Sequence, residues 1–332
     1  MANDPPAVPS QTRFRIDAEL ARGGMATVFA AYDTTTRQRV ALKRLEPLAV
    51  ARMGGLFERE FAVLSSLKHP CIVDVYEYGV DATGPFYTME LLEGADLREL
   101  APLPVVAACR YLRDVASSLA LLHARRLLHR DVSPRNVRTL RTGGCKLIDF
   151  GALANFGATD EIVGTPPAIP PEALSGQALD QRADLFALGA LAYFVLTGQH
   201  AYPARSVRAL PDSWAAPLAP PSLHAPDIPA ALDALVLGLL NLDALARPSN
   251  AGEVIERLNV IAGLAPDHDE RVARAYFVGT TLVERARESR RTQRCLRLLR
   301  AGRGRALFIE GERGIGKTRL LADVTLKGQL AG

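Results

Sequence analysis

The sequence has few cysteines, few aromatic residues and no long hydrophobic run. Aromatic side chains make up only 6% of the 332 residues, and the four cysteines stand far apart, with no CxxC pair and no cysteine–histidine cluster. These absences argue against a disulfide framework and a structural zinc site, and they favour a reducing, cytoplasmic environment. The cysteines are Cys71, Cys109, Cys145 and Cys295.

No segment predicts a membrane anchor or a secretion signal. The longest apolar run, Leu185 to Leu196, is shorter than the roughly 20 residues that a helix needs to cross a bilayer. The N-terminal sequence MANDPPAVPSQ lacks both the basic start and the apolar stretch of a signal peptide. We therefore expect a protein without a membrane segment.

The charge balance is modest, and lysine is scarce. A net charge of +4 does not by itself indicate nucleic-acid binding, while 48% hydrophobic and 23% charged residues are typical of a globular chain of one or two domains. Of the 40 basic residues only five are lysine: Lys43, Lys68, Lys146, Lys317 and Lys327. A lysine in a chemically demanding motif is therefore informative.

The secondary-structure pattern changes after Gly94. Before it, short alternating runs such as Thr27–Tyr32 and Arg39–Lys43 predict strands, interrupted by one helix near Leu56–Leu67. After it, apolar residues recur at helical spacing, most clearly in Asp184–Leu196. The fold class is therefore predicted to be α+β, with a small β-rich lobe, a larger helical lobe and a cleft between them.

These patterns divide the chain into successive segments. We predict a flexible leader (1–12), a β-rich N-lobe (13–90) and a helical C-lobe (95–262). A linker (263–280) and a basic helix with a second nucleotide motif (281–332) are predicted to follow.

The first motif with chemical meaning is a glycine-rich turn, Leu20 to Val28, between two predicted strands. Its small residues let backbone N–H groups approach a polyphosphate, although a generic hairpin turn would also explain them. The strand Val40–Lys43 follows, and its terminal lysine suits pairing with the α- and β-phosphates. Glu60 on the next helix is placed to hold that lysine, whereas read alone it would lie on a solvated helix face.

The second half of the chain supplies a base and oxygen ligands. The sequence HRDVSPRN carries Asp131 and Asn136 in one loop, and Asp149-Phe-Gly stands thirteen residues after Asn136, followed by Pro171-Glu172. Asp131 suits the acceptance of a proton from an attacking hydroxyl. Asn136 and Asp149 offer the hard oxygen ligands that Mg²⁺ prefers.

This ordered set of motifs resembles the eukaryotic-type Ser/Thr protein kinase family, most closely its bacterial members, over about residues 14–262. The resemblance implies the two-lobed protein-kinase fold and transfer of the ATP γ-phosphoryl group to serine or threonine hydroxyls of protein substrates, with Mg²⁺ as cofactor. It implies that Asp131 is the catalytic base and that Lys43 binds the phosphates. Glu60 would be the ion-pair partner of Lys43. Asn136 and Asp149 would be the Mg²⁺ ligands.

Further roles follow from the same resemblance. Glu172 and Arg247 resemble a buried ion pair that braces the helical lobe, and Asp184 resembles the aspartate that anchors the catalytic loop. Met89 resembles the gatekeeper next to the adenine-contacting hinge. The residues expected to contact ATP are Ala21, Gly23, Gly24, Ala26, Val28, Ala41, Lys43, Met89, Glu90 and Leu92.

The loop that carries Asp131 also contains Arg130, which bears on regulation, and Ser133, which departs from the family pattern. Arg130 precedes the base, as in kinases that are switched by activation-loop phosphorylation, and we hypothesise that Thr159 is autophosphorylated and pairs with Arg130. Thr165 is expected to have a structural role near Asp131. Ser133 stands where most Ser/Thr kinases have a lysine that meets the γ-phosphate, which bears on the rate more than on the reaction.

A second nucleotide motif lies near the C-terminus. Arg305–Glu310 predicts a short strand, and the following GERGIGKT matches GxxxxGK[ST], the phosphate-binding P-loop. The chain ends 14 residues after its threonine, so we interpret 270–332 as the start of an incomplete α/β P-loop NTPase domain and expect no ATP hydrolysis from it. The candidate residues are Gly311, Gly314, Gly316, Lys317 and Thr318.

Other functions stay open on sequence alone. A nucleotide-binding pseudokinase that regulates an attached P-loop ATPase would fit Ser133, and a small-molecule kinase is disfavoured by the peptide-docking segment from Gly164 to Glu172. Residues 284–305 carry nine arginines against Glu284 and Glu288. We interpret this segment as a solvated face, and nucleic acid is disfavoured as a partner because no aromatic residues interleave with the arginines. A homodimer stays open.

Overall fold

The computed structural model describes residues 13–158, 161–265, 286–300, 303–304, 306–311 and 317–329. The described residues fall into two units. The sheet unit contains the residues up to Ser65, then Val75–Leu91, and the residues after Leu282. The helical unit contains Ser66–Asp74 and the residues that follow Leu92, as far as 265.

Five antiparallel strands form the sheet, in the spatial order β1-β2-β3-β5-β4. Tight turns join β1 to β2, β2 to β3 and β4 to β5; between β2 and β3, for example, Asp33 Oδ1 accepts the backbone N–H of Thr35 at 2.9 Å. Such turns favour pairing between strands that are adjacent in sequence. The strands are β1 (Phe14–Arg22), β2 (Ala26–Asp33), β3 (Gln38–Leu45), β4 (Val75–Asp81) and β5 (Gly84–Glu90).

The two faces of this sheet differ in chemistry. One face buries a cluster that contains Val40, Leu42 and Phe86. Because successive side chains of a strand point to opposite faces, Ala41 and Lys43 of β3 project from the other face. That face is the one from which Lys43 meets Glu60 of the helix between β3 and β4.

This helix, α1 (Val50–Ser66), starts earlier than the sequence predicted. The predicted helix began near Leu56, whereas the observed helix also includes Gly54 and Gly55, which are poor helix formers. The downstream part of α1 buries one face through residues at helical spacing, namely Phe57, Glu60, Phe61 and Leu64. That burial outweighs the cost of about 1 kcal/mol for each glycine in a helix.

Helices dominate the second unit. Among them, α5 (Gln181–Thr197) is buried along most of its length, begins at the capping side chain of Asp180 and ends at the left-handed Gly198. No helix among the described residues is long and apolar enough to cross a membrane. The remaining helices are α2 (Leu97–Leu100), α3 (Val105–Ala124), α4 (Pro171–Leu174), α6 (Leu210–Ala215), α7 (Ala230–Leu239) and α8 (Ala251–Ala262), and the short strands are β6 (Leu127–Leu128), β7 (Val137–Thr139), β8 (Cys145–Leu147) and β9 (Ala154–Asn155).

The segment Ser66–Asp74 lies between α1 and β4 in sequence, yet it belongs to the helical unit. Leu147 donates its backbone N–H to the carbonyl of Cys71 at 2.8 Å, and Val73 donates to the carbonyl of Leu147 at 3.1 Å. Ser118 Oγ also donates to the Cys71 carbonyl, at 2.8 Å. The sequence placed this segment in the β-rich lobe, because no local pattern reveals its distant hydrogen-bond partners.

Two further helices lie nearer the C-terminus, α9 (Ala286–Arg300) and α10 (Lys317–Gln329). The predicted linker, over 263–280, lies outside the described residues from 266 onward. The two helices contact each other, and a cavity of about 430 Å³ is lined by residues of both helices and of the segment 306–310. The strand predicted over Arg305–Glu310 is wrong for the described residues 306–310, which have no regular secondary structure. A strand needs a hydrogen-bonded neighbour, and no described residue pairs with this segment.

Candidate active site

Lys43 and Glu60 form a buried ion pair in the sheet unit. Lys43 Nζ donates to Glu60 Oε1 at 2.8 Å, and the two residues are 8% and 5% exposed. Tyr87 Oη, from β5, donates to the same oxygen at 2.9 Å. The ammonium group of Lys43 is thereby held at a fixed place beside the sheet, where it can face an anionic phosphate.

The sheet register gathers several of the residues expected to contact ATP on one face. Val28 lies opposite Lys43, and Ala41 lies opposite Met89. Directly opposed residues share a face, and Ala41 and Lys43 are two apart, so all four project from the same side. A flat, mostly apolar surface with one cation suits a purine base and its phosphates.

The remaining ATP-binding predictions lie around the turn between β1 and β2 and around the end of β5 in sequence. Gly23 donates its backbone N–H to the carbonyl of Ala26 at 2.9 Å, which closes the turn between β1 and β2. A Cβ at Gly24 would meet no atom within 4 Å, so packing within the chain does not require glycine there. Close approach of a ligand to the backbone would require it. Ala21 lies near the end of β1, where it pairs with Val28 of β2, and Glu90 is the last residue of β5. Leu92 belongs to the helical unit.

Asp131, in the helical unit, is held by three hydrogen bonds to its carboxylate. Oδ1 accepts the backbone N–H of Thr165 at 2.9 Å and the Thr165 hydroxyl at 2.8 Å. Oδ2 accepts Asn136 Nδ2 at 2.8 Å. The carboxylate remains partly exposed, so it is oriented by the protein and still accessible to a hydroxyl group.

Asn136 and Asp149 have the chemistry of a magnesium site. Asn136 turns its amide nitrogen to Asp131, so its carbonyl oxygen Oδ1 points the other way. Ile148 donates its backbone N–H to the Asn136 carbonyl at 2.8 Å, which brings Asp149 to the neighbouring position. Mg²⁺ in nucleotide sites uses one or two protein oxygens together with phosphate oxygens, so this pair fits it. No larger group of His, Cys, Asp or Glu side chains among the described residues could hold a metal ion.

A buried aspartate fixes the loop that carries Asp131. Asp184, fully buried on α5, accepts the backbone N–H groups of His129 at 3.0 Å and Arg130 at 2.9 Å, and His123 Nε2 donates to it at 2.9 Å. Burial alone would raise the pKa of Asp184, but the His123 hydrogen bond and the loop N–H groups hold that pKa below its ordinary value. Burial lowers the pKa of His129, so its neutral ring can accept the Asp131 N–H at 3.3 Å.

The predicted regulatory residues are placed in part. Arg130 has a φ of 63° and donates through Nε to the carbonyl of Ala152 at 2.6 Å. Gly164, with a φ of 112°, approaches the Arg130 carbonyl so closely that a Cβ would lie 2.5 Å from it, and only glycine fits there. This approach delivers Thr165 to Asp131. Thr159 lies outside the described residues.

Ser133 has an unusual environment for a hydroxyl group. It is 1% exposed, and its Oγ has no hydrogen-bond partner among the described residues. A buried unsatisfied hydroxyl costs about 1–3 kcal/mol, so Ser133 brings neither a cation nor a stabilising contact to the loop between Asp131 and Asn136.

A second buried ion pair braces the helical unit. Arg247 donates to both carboxylate oxygens of Glu172, at 2.6 and 2.8 Å. The Arg247 side chain is fully buried and also donates to the backbone carbonyls of Asn241 at 2.7 Å and Arg182 at 2.9 Å. The pair therefore joins α4 to the residues that precede α8.

The second nucleotide motif is only partly described. Lys317 opens α10 and donates through Nζ to the carbonyl of Gly311 at 2.7 Å. Thr318 is helical. The backbone of 312–316, with Gly314 and Gly316, lies outside the described residues, so the expected phosphate-binding turn stays a prediction.

Tyr87 is the member of this site that the sequence analysis missed. It lies 44 positions after Lys43 in sequence. The two residues meet only because the neighbour of β3 in the sheet is β5, and not β4, which comes first in sequence. The burial of Glu60, by contrast, has a sequence signal: Phe57, Glu60, Phe61 and Leu64 share the 3–4 spacing of one helix face.

Comparison with known proteins gives matches over the same residues. Residues 14–258 match the family model of the protein kinase domain. The serine/threonine-protein kinase PknL of Mycobacterium bovis is 36% identical over 202 residues, which cover 56% of this chain and 50% of that relative. Pkn2 of Myxococcus xanthus is 31% identical over 275 residues, covering 74% of this chain and 32% of the relative. PknB of Mycolicibacterium smegmatis is 32% identical over 276 residues, covering 77% and 44%. The chain thus spans half or less of the length of these relatives.

Proposed function

The chain belongs to the protein kinase family, and from this premise we propose that it transfers the γ-phosphoryl group of ATP to serine or threonine hydroxyls of proteins. The observation that carries the proposal is the fixed carboxylate of Asp131, held by Thr165 and Asn136 and still partly exposed. The names of the relatives, all serine/threonine-protein kinases, support the acceptor class.

The helical unit supplies the chemistry at the acceptor. Asp131 orients the attacking hydroxyl and takes its proton as the oxygen bonds to the γ-phosphorus and the bond to the β-phosphate oxygen breaks, which releases ADP. Thr165 keeps the carboxylate oriented. Asn136 and Asp149 would hold Mg²⁺, which when bound neutralises phosphate charge.

The sheet unit supplies the nucleotide contacts. We assign the α- and β-phosphates to Lys43, oriented by Glu60, and the base to the apolar face that includes Val28, Ala41 and Met89. A preorganised cation stabilises the transition state most when it lies next to the negative charge of the phosphates. The buried ion pair keeps Lys43 in place, so no reorganisation is needed.

Replacing Lys43 by methionine is expected to lower phosphoryl transfer by about 100-fold or more, because it removes a preorganised charge next to the phosphates. The measurement is incorporation of label from γ-labelled ATP into the protein itself and into a generic basic protein, with Mg²⁺ and with a chelator. Lys68→Met is the matched control, since Lys68 is exposed and pairs with Asp74 at 3.2 Å. Equal activity of the Lys43 variant and the wild type would refute the assignment.

The same assay separates the rival functions. Nucleotide binding without transfer in the wild type would favour a pseudokinase, for which Ser133 in place of a lysine is the supporting observation. Loss of label in Lys317→Met but not in Lys43→Met would move the activity to the second motif. Label on a small molecule but on no protein would favour a small-molecule kinase.

We further propose that the chain autophosphorylates at Thr159 and that this phosphate pairs with Arg130. Mass spectrometry of the active wild type should find Thr159 phosphorylated, while the Asp131→Asn variant should carry no phosphate there. Thr165, whose hydroxyl donates to Asp131, is expected to be unmodified. Active protein with Thr159 wholly unmodified would contradict this mechanism.

The segment from Gly311 to Thr318 is proposed as the beginning of a P-loop ATPase domain. The start of α10 at Lys317 supports it, because the motif requires a helix to follow the phosphate-binding loop.

A further inference from the structure

One hydroxyl group contacts the Lys43–Glu60 ion pair without being part of any family motif. Glu60 Oε1 accepts two hydrogen bonds, from Lys43 Nζ at 2.8 Å and from Tyr87 Oη at 2.9 Å. Tyr87 is 1% exposed and Glu60 5%. In such a buried place a lost donor is not replaced by water, so the Tyr87 hydroxyl has more effect on the carboxylate than a surface contact would.

The sheet fixes the position of this hydroxyl. Tyr87 lies directly opposite Lys43 on β3 and directly opposite Tyr78 on β4. The Lys43 ammonium lies 5.8 Å from the centre of the Tyr87 ring. The donor to Glu60 is therefore held by the same strands as the lysine, independently of helix α1.

The ring of Tyr87 also holds helix α1. It packs against Phe57 at 5.0 Å and Phe61 at 5.8 Å between ring centroids, and these two residues flank Glu60 on the buried face of the helix. Aromatic pairs at such separations stabilise one another beyond their buried area. Tyr87 thus contacts both the helix that carries Glu60 and the carboxylate itself.

We propose that Tyr87 is a positioning residue for phosphoryl transfer, which sets Glu60 Oε1 in place for Lys43 and docks α1 onto β5. The inference rests on the proposed kinase function. It makes the pairing of Lys43 with Glu60 a built-in property of the sheet unit, with the hydroxyl of Tyr87 as its third member.

The test is Tyr87→Phe, which keeps the ring and its packing and removes only the hydroxyl. The expected result is a fall of about tenfold in kcat/KM for ATP, because a buried hydrogen bond to a charged group is lost. The change should appear mainly as a higher KM for ATP, with the KM for the protein acceptor unchanged, since Lys43 acts on the nucleotide. An unchanged kcat/KM would overturn the proposal.

Tyr78→Phe is the matched control. Tyr78 belongs to the same aromatic cluster, with ring centroids 6.2 Å from Phe57 and 5.7 Å from Phe61. Its hydroxyl lies beside Glu58, and burial together with that carboxylate raises the pKa of Tyr78 to about 12. We expect kcat/KM within about twofold of the wild type. An equal loss in both variants would assign the effect to packing and overturn the proposal.

A double-mutant cycle with Glu60→Ala shows whether Tyr87 acts through Glu60. Once Glu60 is absent, Tyr87→Phe should change kcat/KM by less than about twofold. The same tenfold loss in both backgrounds would overturn the proposal. Titration with MgATP alone, which measures the Kd for MgATP, gives a second readout. A wild type that binds MgATP but transfers no phosphate would refute the kinase function. The role of Tyr87 would then be tested by the same double-mutant cycle, with Kd for MgATP in place of kcat/KM.

Discussion

Asp131→Asn is expected to lower phosphoryl transfer by about 100- to 10,000-fold, the range that a positioned general base contributes. The amide cannot take the proton of the attacking hydroxyl. Both carboxylate oxygens of Asp131 accept hydrogen bonds, from Thr165 and from Asn136. An amide nitrogen in either position would face a donor, so the variant loses orientation as well as basicity.

Steady-state transfer of label to a protein acceptor, with the Kd for MgATP measured beside it, tests this expectation. The affinity for MgATP should change little, because Asp131 acts on the acceptor. Asp212→Asn, an exposed carboxylate on α6, is the matched control. An Asp131→Asn rate close to that of the control would remove Asp131 from the role of base.

The largest expected effect on stability comes from Arg247→Ala. It leaves Glu172 as a buried charge without its bidentate partner and takes the donors from the carbonyls of Asn241 and Arg182. Breaking a buried pair by removing one partner costs about 3–5 kcal/mol in the free energy of unfolding. For a domain of this size that is a fall in Tm of roughly 6–20 °C.

Thermal unfolding of purified protein measures this shift, and Arg257→Ala supplies the comparison. Arg257 reaches Glu253 only at 3.8 Å, with both side chains exposed to solvent, and such surface pairs contribute at most about 1 kcal/mol. A Tm for Arg247→Ala equal to that of Arg257→Ala would mean that the buried pair does not stabilise the fold. Glu172→Gln, which keeps the shape of the side chain, separates the loss of charge from the cavity.

The motifs proposed for catalysis are visible in the sequence because their spacing is local. Asp131 and Asn136 share one loop, and Lys43 lies in a recognisable strand, which extends two residues further than the sequence predicted. The neighbouring strands β3 and β5 are separated in sequence by α1 and β4. Their register, and with it the place of Tyr87 beside Lys43, could therefore not be predicted from a local pattern. The start of α1 was misjudged for a related reason: local glycine propensity was outweighed by tertiary burial of Phe57 and Phe61.

The strand expected before Gly311 shows the same limit from the other side. Its sequence has an apolar run of suitable length, but strand formation depends on a partner, and none of the described residues provides one. The burial of Glu60 was legible in the spacing of its helix, yet a charged residue on an apolar face is easily taken for a solvated one.

Because Ser66–Asp74 belongs to the helical unit although sheet residues flank it in sequence, the path of the chain bears on recombination between related genes. A gene exchange at residue 65 would take β3 and β5, which are hydrogen-bonded neighbours, from different parents. An exchange at residue 91 would instead take Cys71 and Leu147, also hydrogen-bonded, from different parents. Because each unit is built from separate stretches of the chain, no single crossover inside residues 66–91 leaves both units with side chains from one parent only, and a chimaera of two relatives would mix parental side chains within at least one unit.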